Sequence, residues 1–562
     1  MIFISPAIVS AQTTYLKQGA EEAHFIDRLE IKQQQNTDLN FSTLRPFSRK
    51  AIVRQAEFID SARMGYNDST GKDKYPEWNS QDLTPVDEYN LHSFLMNNVE
   101  WVSGPKEDYK SRKPILKTLY KTKANMLEYN SKDFFFALNP VIQYETGKQS
   151  GYSETIFENR RGLEARGMIA HKIGFYTFLT DNQERGALYY QQQVNNSHAV
   201  PGAGFYKIFK KTGYDYFDAK GYLTFNVTKY IDVQFGYDKN FIGNGYRSLF
   251  LSDWGNSYLF LKLNTRIWKL NYQNIFMELI PQFKKSNDTL LERKYATIHH
   301  LSMNVTNWLN IGVFEAITFN RRNHFDFQYL NPIIFYRYVE GNVGSPDKAK
   351  IGLDAKANIA HHFQLYGQLL FDEFILKDLL HDPNNWANKW AMQLGVKYVD
   401  AFGIPNLDLQ LEANRIRPYT YSHYDTIDNY THYNQPLAHP LGANLQEFIG
   451  IANYQPSPKW FINVKAIYYY QGLDSAGKNF GANPFEDYRT RTGDEGHYIG
   501  SGNKATCLNS FVQVSYKWRE NLFLDLNLQY RTYKLSNTSG QTDTKMITAG
   551  FRLNLARRDR DL

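Results

Sequence analysis

Apolar and polar residues alternate one by one in many segments between about residue 133 and the C-terminus. In the segment 231–240, the apolar residues at 231, 233, 235 and 237 share one face, and the polar residues at 232, 234, 238 and 240 share the other. The segments 351–359, 522–529 and 547–554 show the same two-residue period. This period is typical of β-strands that present one face to an apolar environment and the other to a polar one. The C-terminal three-quarters of the chain is therefore predicted to be all-β.

The spacing of these segments predicts how the strands connect. We predict about eighteen antiparallel strands, with boundaries placed to within about two to four residues. The predicted strands start near residues 133, 155, 172, 214, 230, 257, 268, 294, 309, 348, 363, 390, 407, 443, 460, 505, 522 and 544. Connections after even-numbered strands are short, and those after odd-numbered strands are long and polar, at roughly 183–213, 243–256, 320–347, 375–389, 419–442 and 473–504. This pattern predicts an outer-membrane β-barrel with both ends on the periplasmic side and the long loops outside.

The residues before the barrel have a different character. Ser48 is a good N-cap for a helix in which Ile52, Ala56 and Ile59 share a face. A second helix is predicted to start at Thr84-Pro85, and the segment 67–82 between the two helices is predicted to be a loop. We therefore divide the chain into a helical periplasmic region at 12–131 and a barrel at 132–562. We predict that the helical region caps or partly plugs the periplasmic mouth.

The first residues resemble the end of a secretory signal. A short apolar run is followed by Val9-Ser10-Ala11, a small-residue cleavage pattern, although no basic stretch precedes it. We therefore assign residues 1–11 to a signal-peptide remnant and predict a mature N-terminus near Gln12.

Composition agrees with a barrel and excludes other classes. Aromatic residues make up 16% of the chain, led by 41 Tyr and 38 Phe, which suits a barrel with two interfacial aromatic girdles. No run approaches eighteen apolar residues, which argues against a helical membrane protein. The single Cys507 excludes an internal disulfide framework. The net charge of +7 fits contacts with lipopolysaccharide or an acidic glycan, and a solvated surface explains it equally well. A soluble β-rich protein with a sticky surface is the alternative.

Two predicted external loops carry candidate binding residues. In the loop 243–254, Tyr246 and Trp254 offer flat rings for stacking on sugars, and Arg247 can pair with a uronate or phosphate. The alternative is a loop folded into the barrel mouth with these side chains satisfied internally. The loop 419–434 is rich in tyrosine, which suits carbohydrate or protein contact as well as a self-packed loop. Its candidate residues are Tyr419, Tyr421, Tyr424, Tyr430 and Tyr433.

Charged residues on the polar strand faces are predicted to line the lumen. They are Asp232, Asp354, Lys356, Glu412, Asp525 and Arg552. Paired charges would give a plugged, stiff lumen, whereas the same charges around water would give a selective pore. The sequence contains no nucleic-acid-binding signature. It shows no nucleophile with a matching base and no metal-ligand spacing, since His299-His300 point to opposite faces of a strand. We therefore predict no enzyme activity, no cofactor and no metal.

Several motifs resemble the Wzi family of capsule-assembly outer-membrane proteins, within it the gliding-motility-associated (RemB-like) relatives. The motifs are DRLEIK at 27–32, LRPFSRK at 44–50, GNGYRSLFLSD at 243–253, LNP at 330–332 and HPLGAN at 439–444. The resemblance spans nearly the whole chain. It implies an eighteen-stranded barrel with a helical N-terminal region, and a lectin-like, non-catalytic role in attaching exported polysaccharide to the cell surface.

Two functions follow as expectations. The first is a protein of the cell outer membrane that binds or organises surface polysaccharide and supports gliding motility or adhesion. Its partners would be the polysaccharide, lipopolysaccharide and other lipid of the outer membrane, and motility or secretion machinery. The alternative is a porin-type diffusion channel for small hydrophilic solutes.

Overall fold

Eighteen antiparallel strands form one closed barrel, as predicted. The structure is a computed structural model, and it describes residues 13–17, 19, 21–34, 39–63, 83–283, 290–344, 347–373, 382–538 and 540–561. The barrel strands within these ranges are β1 (Phe134–Gln149), β2 (Ile156–Ile169), β3 (Ile173–Arg185), β4 (Gly213–Thr228), β5 (Ile231–Asp238), β6 (Tyr258–Ile267), β7 (Leu270–Leu279), β8 (Lys294–Asn304), β9 (Leu309–Phe319), β10 (Lys348–Ile359), β11 (Phe363–Glu373), β12 (Lys389–Tyr398), β13 (Leu407–Ile416), β14 (Leu445–Ser457), β15 (Trp460–Leu473), β16 (Asn503–Arg519), β17 (Leu522–Leu535) and β18 (Gln541–Leu553).

The barrel closes between its last strand and its first. β18 pairs with β1 from Met546 opposite Gln149 to Leu553 opposite Ile142. The short strand Leu127–Asn130 continues this seam by pairing with the start of β1. Closure pairs the backbone groups that a free sheet edge would leave exposed, which a membrane interior requires.

The strand positions agree with the predicted alternation. The largest difference between a predicted and an observed strand start is at β18, which is predicted to start near 544 and begins at Gln541. In β10, Leu353 on the outer face is 48% exposed, whereas the neighbouring Asp354 on the inner face is 3% exposed. An apolar outer face with a polar interior is the arrangement of a barrel surrounded by lipid. In the described part of the chain, no helix has the length and apolar character needed to span a membrane.

The two ends of the barrel differ in their connections. One end, here called the short-turn end, has tight turns such as 170–172 between β2 and β3 and 268–269 between β6 and β7. The other, called the long-loop end, carries the long connections that contain α4 (Leu188–Ser197) and α5 (Tyr336–Val343). It also carries the connections at 417–444 and 474–502.

Three helices precede the barrel, and two of them start at the predicted caps. They are α1 (Glu21–Gln33), α2 (Arg49–Arg63) and α3 (Pro85–Asn97). Ser48 accepts a hydrogen bond from the backbone N–H of Ala51 at the start of α2. Thr84 and Asp87 form a complete capping box at the start of α3. The predicted loop 67–82 and the predicted signal remnant 1–11 lie outside the described residues.

Short elements complete the described structure. They are the strand pairs Leu44–Arg45 with Phe241–Ile242 and Thr431–His432 with Gln435–Pro436, the strand Lys207–Phe209 beside β4, and the 3₁₀ turns Leu39–Phe41, Glu107–Tyr109, Phe327–Leu330, Ala401–Gly403 and Tyr488–Thr490.

The N-terminal helices pack into the short-turn end. Arg28 of α1 contacts the carboxylates of Asp400, in the turn between β12 and β13, and of Asp408, at the start of β13, at 2.6 Å each. Deeper in the barrel, Glu30 of α1 pairs with Lys356 of β10 at 2.8 Å. The apolar faces of the three helices form one buried cluster that includes Phe135 at the start of β1. The helices therefore occupy this mouth of the barrel, and the domain boundaries themselves stay a prediction.

Candidate functional site

The loop 243–254 folds into the barrel rather than extending from it. Arg247 is 5% exposed and pairs with Glu447 on the inner face of β14 at 3.1 Å. The backbone N–H groups of Tyr246 and Arg247 donate to the Glu412 carboxylate at 2.7 and 3.1 Å. The Tyr246 hydroxyl donates to the Asp559 carboxylate at 2.8 Å. Both side chains that we predicted as sugar contacts therefore have protein partners, which is the alternative placement considered for this loop. A sugar contact by Tyr246 or Arg247 stays a prediction.

The segment 554–561 after β18 turns back into the lumen and runs towards the long-loop end. Arg558 pairs with Glu184 at 3.4 Å, and Arg560 pairs with the same carboxylate at 2.7 Å. Asp561 lies 3.3 Å from Arg247 and 3.5 Å from Lys465. Alternating charges of this segment thus meet opposite charges on the barrel wall and on the loop 243–254.

The loop 419–434 also folds inward and packs on the loop 243–254. The Tyr421 hydroxyl donates to the carbonyl of Leu249 at 3.0 Å, and the Tyr430 hydroxyl donates to that of Phe250 at 2.8 Å. Tyr419 is equally buried, and its hydroxyl donates to the Asn479 carbonyl at 3.0 Å. These three tyrosines hold loops together. Of the five predicted contact residues, Tyr424 and Tyr433 keep partly exposed side chains.

The predicted lumen charges belong to this internal network. Asp525 pairs with Arg552 at 2.9 Å. Asp354 hydrogen-bonds His300 at 2.7 Å, and His299 next to it lies on the outer face, so the two histidines do point apart as predicted.

The two remaining lumen carboxylates are bonded to amides and hydroxyls. Asp232, which is half-buried, accepts a hydrogen bond from Asn226. Glu412 accepts from the Tyr366 hydroxyl at 2.9 Å besides the two backbone groups of the folded-in loop. A cavity of about 560 Å³ remains between the helices, the loop 243–254 and the segment 554–561. The described lumen is thus largely filled by the protein's own segments.

A separate cleft of about 260 Å³ opens at the long-loop end. Its wall includes the half-buried Trp254, together with Gln193 from α4 and Phe485 from the connection between β15 and β16. The Oε1 atom of Gln193 is buried and has no hydrogen-bond partner among the described residues. An aromatic face beside an unpartnered amide oxygen is suited to a hydroxylated ring.

A cluster of aromatic and cationic side chains lies on the surface at the same end. We call it the aromatic cluster, and it consists of Trp386, Tyr424, Tyr488, Arg489 and Arg491. The rings of Trp386 and Tyr488 lie 5.0 Å apart, and the rings of Tyr424 and Tyr488 lie 6.1 Å apart. The Arg491 guanidinium lies 3.9 Å from the centre of the Trp386 ring, and that of Arg489 lies 4.9 Å from the Tyr424 ring. The cluster presents flat rings and positive charge on one surface.

The buried His423 and the partly exposed Asp487 hold the aromatic cluster in place. The His423 ring lies 4.2 Å from that of Tyr424. Burial lowers the pKa of His423 to about 4, and Lys348 acts in the same direction, so this ring is neutral at physiological pH. Burial favours a raised pKa for Asp487, but hydrogen bonds from Arg489 outweigh that effect and keep the pKa below its ordinary value. Asp487 therefore stays ionised and fixes Arg489 through contacts of 2.8 to 3.2 Å.

Sequence reasoning misses four members of the aromatic cluster, namely Trp386, Tyr488, Arg489 and Arg491. They lie in connections that we predicted only as long polar loops, 375–389 and 473–504. The available signal was the run Tyr488-Arg489-Thr490-Arg491, which places an aromatic ring beside two cations. The sequence does not show that the loops carrying Trp386 and Tyr488 meet, so the cluster cannot be predicted from it.

Comparison with known proteins gives matches among solved structures. No family model matches the sequence, and no curated protein does. The chain is similar to Wzi, an outer membrane protein involved in group 1 capsule assembly in Escherichia coli and described as a carbohydrate-binding β-barrel. That match has a TM-score of 0.56 and 13% identity, and it covers 98% of this chain and 100% of that one. OprD of Pseudomonas aeruginosa is matched with a TM-score of 0.42 and 9% identity over 74% of this chain and 95% of that one. The likeness to Wzi shows a shared fold, including helices before the barrel.

Proposed function

We propose that this protein is a non-enzymatic barrel of the cell outer membrane that binds surface polysaccharide with its long-loop end. The long-loop end faces the cell exterior, and the short-turn end faces the periplasm, as in outer-membrane barrels generally. The observation that carries the proposal is the aromatic cluster. The carbohydrate binding described for Wzi, whose fold is similar, supports the same function.

The chemistry of the aromatic cluster matches a polymer of sugars. Sugar rings have apolar C–H faces that pack on Trp386 and Tyr488, and ring hydroxyls or carboxylates find cations at Arg489 and Arg491. Arg489 has a side chain that is 61% exposed, so it remains accessible although it contacts Asp487. Uronic-acid-containing polysaccharide is therefore the preferred ligand class.

A polymer can engage more than one site on this surface. The cleft beside Trp254 and the aromatic cluster are both bordered by the connection between β15 and β16. When one repeat unit is bound, a second contact on the same polymer is intramolecular and is favoured by its high effective concentration. Two weak contacts then give firm attachment of a long chain.

The sequence motifs shared with the Wzi family support a more specific proposal for the family and the biological role. We propose that the protein belongs with the Wzi family and its RemB-like relatives, and that its surface polysaccharide supports gliding motility or adhesion. Lipopolysaccharide and motility or secretion machinery are the proposed partners. A deletion strain should lose surface polysaccharide or motility, and a strain with normal capsule and normal movement would contradict this assignment.

Binding to glycans tests the proposed function directly. Purified protein is titrated with acidic and neutral polysaccharides, and Trp386→Ala and Tyr488→Ala are compared with the parent. Loss of one stacking ring should weaken binding about tenfold. Trp268→Ala is the matched control, because Trp268 is 77% exposed but lies at the short-turn end. Unchanged affinity in both cluster variants would contradict the site.

A diffusion channel is the second candidate, and the lumen cavity of about 560 Å³ is the observation that favours it. The helices α1 to α3, the loop 243–254 and the segment 554–561 all lie across the path between the two mouths. Single-channel recording in planar bilayers separates the two functions. A large steady current would support the channel, and its absence would support the binding protein.

A further inference from the structure

The outer wall of β7, β8 and β9 carries polar side chains where a lipid-facing barrel should be apolar. His299 of β8 and Glu315 of β9 have the same strand parity as Leu301 and Val313, which are 40% and 47% exposed on the outside. Yet His299 and Glu315 are only 6% and 5% exposed, and their side chains lie 3.7 Å apart. Polar groups on the lipid face are costly. Something other than lipid therefore covers them.

The covering element is the segment 325–343, which we call the outer flap. It contains the 3₁₀ turn Phe327–Leu330 and helix α5, and it folds down over the outside of the barrel from the long-loop end. The Tyr336 ring lies 3.9 Å from the His299 ring. The backbone N–H of Arg337 donates to the Glu315 carboxylate at 3.1 Å. The flap thus supplies a hydrogen bond to Glu315 and covers the His299 ring with the ring of Tyr336.

The contact between flap and wall is extensive and specific. The carbonyl of Pro332 accepts hydrogen bonds from the Tyr272 hydroxyl at 2.6 Å and from the Asn274 amide at 3.0 Å, both on β7. Around these bonds an apolar cluster joins the wall to the flap. Its buried members are Tyr295, Ile317, Phe319, Tyr329, Tyr336 and Val339. The flap is therefore docked on the wall rather than extended into solvent.

The opposite side of the flap carries large apolar side chains that no described residue covers, with the exposed Arg337 beside them. Ile333 is 85% exposed, Phe327 is 79% exposed, Tyr338 is 64% exposed and Phe335 is 51% exposed. Side chains of this size rarely form an exposed patch on a surface that faces water. The patch is continuous with the apolar belt of the barrel, because the flap lies on the same outer face as Val313.

We propose that the outer flap is inserted in the membrane beside the barrel, with its inner side sealing the polar patch on β7 to β9 and its outer side in contact with lipid acyl chains. The occupant of the apolar patch is the hydrocarbon of the membrane, because the patch extends the surface that the barrel already presents to lipid. The barrel thus has a second layer of protein on one side, and this element goes beyond any role in glycan binding.

Site-directed spin labelling in vesicles tests the location of the flap. Nitroxide labels are placed at Ile333→Cys and Phe335→Cys in a Cys507→Ala background, with the full chain reconstituted in phosphatidylcholine vesicles. Collision with oxygen, which concentrates in lipid, is compared with collision with a water-soluble nickel complex. Val313→Cys is the lipid-facing reference, and Tyr498→Cys, at a position 59% exposed in the connection between β15 and β16, is the water-facing reference.

Oxygen accessibility at 333 and 335 should match that at 313, with little nickel accessibility. A pattern like that at 498 would overturn the proposal, because it would place the patch in water. Protection from both reagents would also overturn it, because a second protein or a second copy of the chain would then cover the patch.

A charge substitution gives an independent readout. Ile333→Asp should lower the yield of folded barrel in vesicles several-fold, because it places a carboxylate in hydrocarbon, whereas Tyr498→Asp should leave the yield unchanged. An unchanged yield for Ile333→Asp would overturn the proposal. The labelled cysteine variants carry no charge at 333 or 335, so the accessibility test holds even where Ile333→Asp fails to fold.

Discussion

The guanidinium of Arg247 lies 3.1 Å from the carboxylate of Glu447, which is also bound by His439 at 2.8 Å. These residues are 200 positions apart in the chain, and neither carboxylate nor guanidinium is open to solvent. Their contact fixes the loop 243–254 against the inner face of β14. The inward fold of the long loops thus rests on buried charge pairs as well as on apolar packing.

Removing the Arg247 guanidinium should destabilise the folded protein strongly. Arg247→Ala leaves Glu447 buried with reduced compensation, so we expect a loss of about 3–5 kcal/mol in the free energy of unfolding. Urea titration of each protein in lipid vesicles, followed by tryptophan fluorescence, measures this free energy of unfolding. Lys110→Ala removes an exposed pair at 3.4 Å and should leave the free energy of unfolding nearly unchanged, because water screens the pair. Similar effects of both substitutions would contradict the buried role of Arg247.

The packing of the loop 419–434 should depend on pH through Asp428. Burial, reinforced by Asp425, raises the pKa of Asp428 to about 7, and Lys294 only partly offsets this. The folded loop therefore holds a proton that the unfolded loop has lost above about pH 4. This contribution to stability is complete below about pH 4 and is lost as the pH rises through 7.

Limited proteolysis of this loop between pH 5 and pH 8 measures that effect. Cleavage of the parent should increase towards pH 8, by an amount that corresponds to a few kcal/mol at most. Asp428→Asn should remove the increase, because the amide has no proton to lose. His423 has the opposite dependence below pH 6.5, so the difference between parent and variant isolates Asp428. Identical profiles for the two proteins would refute the prediction.

Binding of an acidic glycan should depend on salt and on Arg491. The Arg491 guanidinium contacts the exposed Asp494 at 2.6 Å, which holds it beside the Trp386 ring. Arg491→Gln should weaken binding of uronate-containing polymers about tenfold at low salt and less at 0.5 M salt, because the lost contact is ionic and screened. Neutral polymers should bind both proteins similarly. Equal losses for acidic and neutral ligands would show a structural effect instead.

The segment 554–561 should restrict the passage of ions. Truncation after Ala556 removes the charges that pair with Glu184 and Lys465 and leaves these wall groups facing a wider lumen. We expect single-channel conductance in planar bilayers to rise relative to the intact chain. Lys545→Ala, on β18 before this segment, is the control and should leave conductance unchanged. Equal conductance of the truncated and intact proteins would show that the helices or the loop 243–254 close the lumen without this segment.

The local sequence pattern is sufficient to predict the strands of the barrel wall. The alternation in 351–359 predicts β10 because lipid and lumen impose a two-residue period on every strand. The caps at Ser48 and Thr84 are likewise local, since a side chain there bonds a backbone group three residues later. The tyrosine-rich loop 419–434 is different, because the same residues suit an exposed binding loop and a loop buried among its neighbours.

Local sequence was sufficient to predict the strand positions, the number of strands and the starts of α2 and α3, because each depends on contacts between residues close in the chain or on the period that the membrane imposes. Tertiary structure alone decided that the loop 243–254 and the segment 554–561 fill the lumen, that Trp386 meets Tyr488 at the surface, and that the outer flap lies on the wall. Those features depend on pairs such as Arg247 with Glu447, whose attraction is set by distance in space and leaves no period in the sequence.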